Sequence, residues 1–546
     1  MDKLIASRRQ VLGGILAAVP AALLGSRYAF AGSGIAAAPG SNPGIRNVLD
    51  FGAVPNDPSH AVQNVVAFRA ALCSYIEDFN RLPFGVSVYV PAGQFFLSDG
   101  ITVPPGCSLI GAGMGASQLI NQLPVAPFND TALVTVNAVI VAARNDVSPP
   151  KIKSGWNDVG NPAKSLPDDA LSLWTHGNIQ PCLATPWGAG LPATTIQDLY
   201  VISRSNACVD LMGVTLFAKN LWVQSGFIGI RAIGGDGVIQ GVIVDSDTFV
   251  GLHMHSTGNY VVNGLYSFLV KTGLSFSGLC TNTRLSDIVI GLPQVSGIRV
   301  NPGSAVRAVV ISGIALTQND ANSATYAGCI QIQGRDVKLV ISDSTFSNYS
   351  GFAVRTAGNT VENTHLTLVN CTFDGYAVNA AWNLNVASGS FGSGIDATGI
   401  GRLELNACRF LNLRGPAIFR GQAVSNNTII CDGAVFYWDN YCPGHLDMSS
   451  FWTTVISGHC PIQIVPTKSF TTKLRLSNLV CDTYNILAPS DRILILNYLG
   501  TGEVNGDQLM DSRFSNCVTD RPGTDIRYLS RAAISDLPSG TRIQRS

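Results

Sequence analysis

From about residue 195 onward the chain repeats itself, and that repeat constrains the fold more than any other feature. Short pieces of alternating apolar and polar residues recur, each opened by a small residue. They read GIRAI at 229, GLHMH at 251, GLSFS at 273, GIRVN at 297, CIQIQ at 329, AVRTA at 353, GIDAT at 394 and AIFRG at 417. Their first apolar residues are Ile230, Leu252, Leu274, Ile298, Ile330, Val354, Ile395 and Ile418, and the opening steps between them are 22, 22 and 24 residues. Later steps of 32 and 41 residues require longer loops or, in the second case, an extra coil through AVNAA at 377. A second element alternates with the first: IQDLYV, AKNLWV, IQGVIV, RLSDIVI, LVISDSTF, LTLVNCTF and LELNACRF. Aligning Phe346, Phe373 and Phe410 puts Ser344, Cys371 and Cys408 in register two residues earlier, and Asn348, Gly375 and Asn412 two residues later.

A period near 22–24 residues with two or three short strands per period is the signature of a solenoid. The Leu-x-x-Leu-x-Leu spacing of leucine-rich repeats is absent, and a propeller blade is longer. The sequence therefore predicts an all-β chain, a right-handed parallel β-helix. Such a solenoid ends in unpaired strand edges and an open apolar core, and something must cap it. VVAFRAAL, from Val65 to Leu72, has the spacing of an amphipathic helix suited to that task, and VLDFGAV leads into it. VSVYVPAGQFFLS at 86–98 and CSLIGAGMGASQL at 107–119 read as the first coils.

Together, DFGA at 50–53, VYVPAGQFFLS and SLIGAGMGASQL resemble, in order, three landmarks of the pectate-lyase-like family, the β-helix proteins related to family 28 glycoside hydrolases. The family's usual Asp-Gly-x-Thr-Asp-Asp-Thr loop is replaced here by a longer one holding Asn56-Asp57-Pro58-Ser59-His60-Ala61-Val62. That departure marks a divergent member. The resemblance implies a carbohydrate-active β-helix. It covers the N-terminal part of the chain, and the remainder matches only as generic coils.

The resulting organisation is an export signal at 1–31, a cap with the first coils at 32–123, an irregular insertion at 124–194, regular coils at 195–436, and C-terminal coils with a cap and tail at 437–546. Within the last part, residues 520–546 are polar and Arg-rich and are expected to form a tail or a lid. The signal rests on Arg8 and Arg9 before a mild apolar stretch and on Ala29-Phe30-Ala31, a small-x-small cleavage site ending at Ala31. The Ser7-Arg8-Arg9-Gln10-Val11-Leu12 order resembles a bacterial twin-arginine signal, so a periplasmic or extracellular location is expected. Gly13, Gly14, Pro20 and Gly25 break the apolar run, which argues against a stable membrane anchor.

Charged residues make up 13% of the chain and the formal net charge is zero, which gives no bulk electrostatic reason to expect nucleic acid as partner. The 13 cysteines contain no CxxC, so zinc and redox motifs are weak, and inward cysteines act as small hydrophobes.

Strand alternation assigns an outward column to the small-residue-led strands. It runs Asp210, Arg231, His253, Ser275, Arg299, Gln331, Arg355, Asn379 and Asp396, with His255, Ser277, Asn301 and Gln333 beside it. An exposed β-face must be polar in any case. Lysine and glutamate are absent from this one, however, and residues that donate in fixed geometry replace them. The pattern predicts a groove for an extended polysaccharide, preferably acidic. Arg231, His253 and Asp247 are the candidate catalytic residues, and Asp210, His255, Arg299, Gln331 and Arg355 the candidate substrate contacts. His253 is the candidate proton-transferring group because histidine titrates near neutral pH. Asp236 and Asp245 are weaker candidates for holding a cation such as Ca²⁺, and the cofactor requirement stays open. β-Elimination is the favoured reaction. A glycoside hydrolase or a non-catalytic glycan-binding or structural β-helix, such as an adhesin or spike, are the rivals. The sequence leaves both a monomer and a homotrimer open.

Overall fold

Each coil must present the same inward residues as the next for a solenoid to close on a dry core. In the computed structural model it does so through the described coils. The structure describes residues 45–73, 87–121, 193–317, 328–375, 393–437 and 472–482 apart from a few positions inside these stretches, with further strands at 132–140, 179–181, 462–464, 493–498 and between 512 and 545. Two long parallel sheets run along it, sheet A with 25 strands and sheet B with 15 among the described residues. The chain visits them in turn: Leu216–Ser225 in A, Ile228–Ile233 in B, Gly237–Val244 in A, Val250–His255 in B. The fold is a right-handed parallel β-helix, as the repeat predicts.

The inward column of sheet B is the one read from the sequence. Ile230 pairs with Leu252, and the rungs continue through Leu274, Ile298, Ile330, Val354, Ile395 and Ile418. All eight side chains are fully buried. Burial of each is worth about 1.5–3 kcal/mol relative to exposure. Val354 pairs directly with Ile395, so the long step between them holds no extra sheet B coil. Asn379, placed between Arg355 and Asp396 in the expected column, lies outside the described residues. In sheet A, Phe346, Phe373 and Phe410 stack at centroid spacings of 5.1 and 5.0 Å, and Phe436 extends the stack at 5.2 Å. Seven described cysteines, Cys371 and Cys408 among them, are buried and unbridged.

Sheet A bends at one residue per coil, and that residue is left-handed. Asp198, Asn220, Gly241, Gly264, Asp287, Gly313, Asp343, Asn370, Ala407, Gly433 and Asn478 all have φ between 49° and 72°. Register places them on successive rungs. Short polar side chains and glycine tolerate this conformation best. Amide–carboxylate bonds link neighbouring rungs here: Asn220 Nδ2 donates to Asp198 Oδ1 at 3.0 Å, and Asn370 Nδ2 to Asp343 Oδ1 at 2.8 Å.

At the N-terminal end, helix α1 spans Ala61–Cys73. Val65, Phe68 and Leu72 bury one face at helical spacing, and Phe68 meets Phe95 edge to face at 5.6 Å. Asn64 ties the helix to the loop before it. Its Nδ2 donates to Val54 O and Phe96 O, and its Oδ1 accepts from Val54 N at 2.7 Å.

Two stretches expected to be irregular contain regular rungs. Ala132–Val136 joins sheet B between Ile101–Val103 and Ala207–Met212. Near the C-terminus, Thr524–Tyr528 and Arg542–Arg545 pair as further sheet B strands, where the polar, Arg-rich composition suggested a tail. Polar residues suit the outward half of a strand as well as a tail, so composition alone does not separate the two. Arg8, Arg9 and Ala31 lie outside the described residues. Among the described residues, no helix is long and apolar enough to cross a membrane.

Candidate functional site

The predicted outward column exists, in register, on the outer face of sheet B. Asp210 pairs with Arg231, Arg231 with His253, His253 with Ser275, Ser275 with Arg299, and Arg299 with Gln331. The prediction fails on exposure. Asp210, Arg231, His253, His255, Arg299 and Gln331 have relative exposures of 1, 0, 0, 1, 3 and 4%. Alternation fixes which side of a sheet a residue takes, not whether that side meets water. The upstream part of this column is no open groove.

Several of its polar groups bond one another. Arg231 makes a two-pronged, charge-assisted contact with Asp210, with Nε to Oδ1 at 2.6 Å. Burial pushes the Asp210 carboxyl up, against the pull of the Arg231 charge and hydrogen bonds. Arg231 is thus an ion-pair partner in a buried site rather than a clamp for an incoming carboxylate. Ser277 Oγ lies 3.0 Å from His253 Nε2 and 2.7 Å from His255 Nδ1. Asn301 Nδ2 donates to Ser275 Oγ at 3.0 Å, and Arg299 Nη2 to Gln333 Oε1 at 3.2 Å. Burial, then the neighbouring His255 and Arg231, holds the His253 imidazole well below the usual histidine range. That shift runs against the expectation that His253 titrates near neutral pH.

The candidate cation ligands Asp236 and Asp245 each make contacts between coils. Asp236 Oδ1 accepts from Thr215 N at 2.5 Å, a loop-capping contact between coils. Asp245 continues the sheet A ladder, its backbone N donating to Val223 O at 3.0 Å. Asp247 lies outside the described residues. Among the described residues, no group of three or more His, Cys, Asp or Glu side chains could hold a metal ion.

Further along, the same face opens. Gln333 is half-buried, Arg355 exposed and Asp396 half-buried. Arg355 and Asp396 occupy adjacent rungs, the one after Val354 and the other after Ile395. Phe419 pairs with Asp396 on the next rung, and Phe352 stacks against it at 5.7 Å between ring centroids. Burial raises the Asp396 carboxyl, opposed by hydrogen bonds from Thr398 Oγ1 and N and by the Arg355 charge. A guanidinium, a carboxyl of raised pKa and an aromatic pair thus line one column within three rungs. Arg355 was legible as a site residue in the sequence, whereas the aromatic pair was not. Carrying the outward column one coil past Asp396, into AIFRG, reaches Phe419 directly.

No family model and no curated protein matches the sequence. Solved β-helix structures do resemble it. The tailspike protein gp49 from Pseudomonas phage LKA1 aligns over 92% of this chain and 83% of its own, at 13% identity and TM-score 0.40. The Pseudomonas phage phi297 tailspike gp61 aligns over 87% and 80%, at 13% identity and TM-score 0.45. The Yersinia enterocolitica family 28 exopolygalacturonase aligns over 88% and 78%, at 10% identity and TM-score 0.31. Identities this low and TM-scores below 0.5 leave the chemistry of this chain to its own residues.

Proposed function

We propose that this chain is an exported β-helix protein that binds an acidic polysaccharide across the open end of sheet B and cleaves it by β-elimination. The observation that carries this reading is the solvent-accessible column Arg355, Asp396 and Phe419, backed by Phe352. A guanidinium at Arg355 recognises a uronate carboxylate through paired N–H donors and draws charge from it, which acidifies the adjacent C5 proton. Asp396, its carboxyl raised by burial on the rung beside Arg355, is the group proposed to exchange the proton. In the elimination the C5 proton passes to a base, the C4–O bond breaks, a C4–C5 double bond forms and the departing oxygen takes a proton. The ring of Phe419 offers an apolar platform for a sugar face.

A hydrolase needs two carboxyl groups flanking the bond. Among the described residues of the open column, Asp396 is the one carboxylate, and this favours elimination. Incubation with polyuronates separates the readings. A lyase generates the ultraviolet absorbance of an unsaturated uronate, a hydrolase generates reducing ends without it, and a binder generates neither. Export is proposed on Arg8, Arg9 and Ala31. The double variant Arg8→Lys, Arg9→Lys should leave precursor in the cytoplasm, and its normal export would reject the twin-arginine route.

A further inference from the structure

Of the seven buried cysteines, register sets two opposite each other. Thr372 pairs with Arg409 and Phe373 with Phe410, so Cys371 and Cys408, each one residue earlier, face each other on adjacent rungs of sheet A. The Arg409 backbone N donates to Cys371 O at 2.8 Å, which fixes that register. Both side chains are fully buried, in an inward column of small residues that includes Ser344 on one side and Ala434 on the other. The two thiols hydrogen-bond each other. Each also donates weakly to a carbonyl of the preceding rung, Cys371 Sγ to Ile341 O at 3.5 Å and Cys408 Sγ to Leu368 O at 3.4 Å. Contacts to their own strands are similar, Cys371 Sγ to Val369 O at 3.5 Å and Cys408 Sγ to Asn406 O at 3.7 Å. Rungs repeat at about 4.8 Å, inside the Cα separation of about 4.4–6.8 Å that a disulfide spans.

We propose that Cys371 and Cys408 are joined by a disulfide in an oxidising compartment, a covalent staple that closes one coil of the solenoid. The 36 residues between them hold the Ser393–Asp396 rung and more than half of the 41-residue step from Val354 to Ile395. That step is longer than the earlier ones of 22, 24 and 32 residues, and a longer loop costs more entropy to close. A bridge restricts the unfolded chain and offsets that cost, more so for a longer loop. A small disulfide of the oxidised-glutathione class supplies the oxidation. One cysteine thiolate attacks its S–S bond, forms a mixed disulfide and releases one thiol. The second thiolate attacks the cysteine sulfur of the mixed disulfide, forms the Sγ–Sγ bond and releases the other thiol. The two cysteine sulfurs are oxidised, the two donor sulfurs are reduced, and the two S–H protons leave on the released thiols. The docked rungs seal both thiols, so the exchange takes place as the coil folds. The bridge rests on the fold and not on the activity proposed above.

The test is a thiol map of the full chain produced in two bacterial hosts, one with an oxidising and one with a reducing cytoplasm. Each preparation is unfolded without reductant, alkylated and cut with trypsin. Cleavage after Arg355, Arg402 and Arg409 places Cys371 in peptide 356–402 and Cys408 in peptide 403–409. From the oxidising host the two peptides should be recovered linked and unalkylated, two hydrogens lighter than the sum of their thiol forms, and reductant should separate them. From the reducing host both should be alkylated. Alkylation of both cysteines in the oxidising host overturns the inference, and so does a link from either one to a different cysteine. The second readout is the melting temperature. The parent from the oxidising host should melt at least about 2 °C above the parent from the reducing host. In the variant Cys371→Ser, Cys408→Ser that difference between hosts should vanish. A difference as large as the parent's in that variant would remove the stapling role. Activity enters none of these readouts, so the bridge and the proposed cleavage stand or fall separately.

Discussion

The two ends of one sheet face make opposite uses of the same residue types. Upstream, Arg231 and His253 are sealed from water, Arg231 donating to Asp210 and His253 in hydrogen-bond contact with Ser277. Downstream, Arg355 stands in solvent with Asp396 and Phe419 on the following rungs. Both ends have the same backbone, the same rung spacing and the same alternation. The difference lies in desolvation: the sealed end contributes order within the fold, and the open end retains donors that a ligand can use. Outward placement on a solenoid is thus a necessary condition for a site, and access to water is the further condition that separates the two arginines.

The contrast breaks most directly at the arginines themselves. Arg231→Ala would leave Asp210 buried beside no cation, and should destabilise the fold by about 3–5 kcal/mol. Replacing both partners, as in Asp210→Leu with Arg231→Met, should cost much less than either single change, because no charge is left stranded. Denaturant midpoints of the three variants check this. A double variant no more stable than Arg231→Ala would show that the pair is not an isolated unit.

Next in size is a pH effect confined to the sealed end. His253 has a folded pKa below that of the unfolded chain, about 6.5. As pH falls below that value, the unfolded chain takes up a proton that the folded chain refuses, so stability falls, with a slope of at most about 1.4 kcal/mol per pH unit for one proton. The stability is fully present above the unfolded value and is lost progressively on acidification. His253→Gln should flatten the stability profile between about pH 6.5 and the acid range. An unchanged slope in that variant would place the missing proton elsewhere.

The smallest effect on stability belongs to the open end. Arg355→Ala should shift stability by no more than about 0.5 kcal/mol, as exposed substitutions do. It should nevertheless abolish turnover of a polyuronate that the parent cleaves. Retained activity with unchanged stability would remove Arg355 from the site.

Much of the architecture was readable because a coil-on-coil fold writes its inward column at a regular period. The alignment of Ile230 with Ile418 through six intervening rungs and the stacking of the phenylalanines both follow from like residues recurring at like positions. The site was readable only in part. Alternation carries one binary statement per residue, inward or outward, and was right for His253 and Arg355 alike. It says nothing of the third dimension over the sheet, where the two differ. Polar side chains that satisfy one another across rungs, as Ser277 does with His253 and His255, look identical in sequence to polar side chains awaiting a ligand.

The left-handed residue repeated from Asp198 to Asn478 makes the coil the unit of change in that part of the molecule. Removing a single residue between that corner and the next strand would turn each following side chain to the wrong face. Removing residues 251–272 instead deletes one corner, at Gly264, together with one sheet B rung, and joins Val250 to Gly273 with every remaining rung in phase. Strands are therefore added or lost only in whole turns, loops absorbing other lengths as in the 32-residue step from Ile298 to Ile330, and each turn lengthens or shortens both outer faces by the same increment. A lineage of such proteins would tune the reach of its surfaces along a polymer by counting coils, much as a ruler is cut only at its marks.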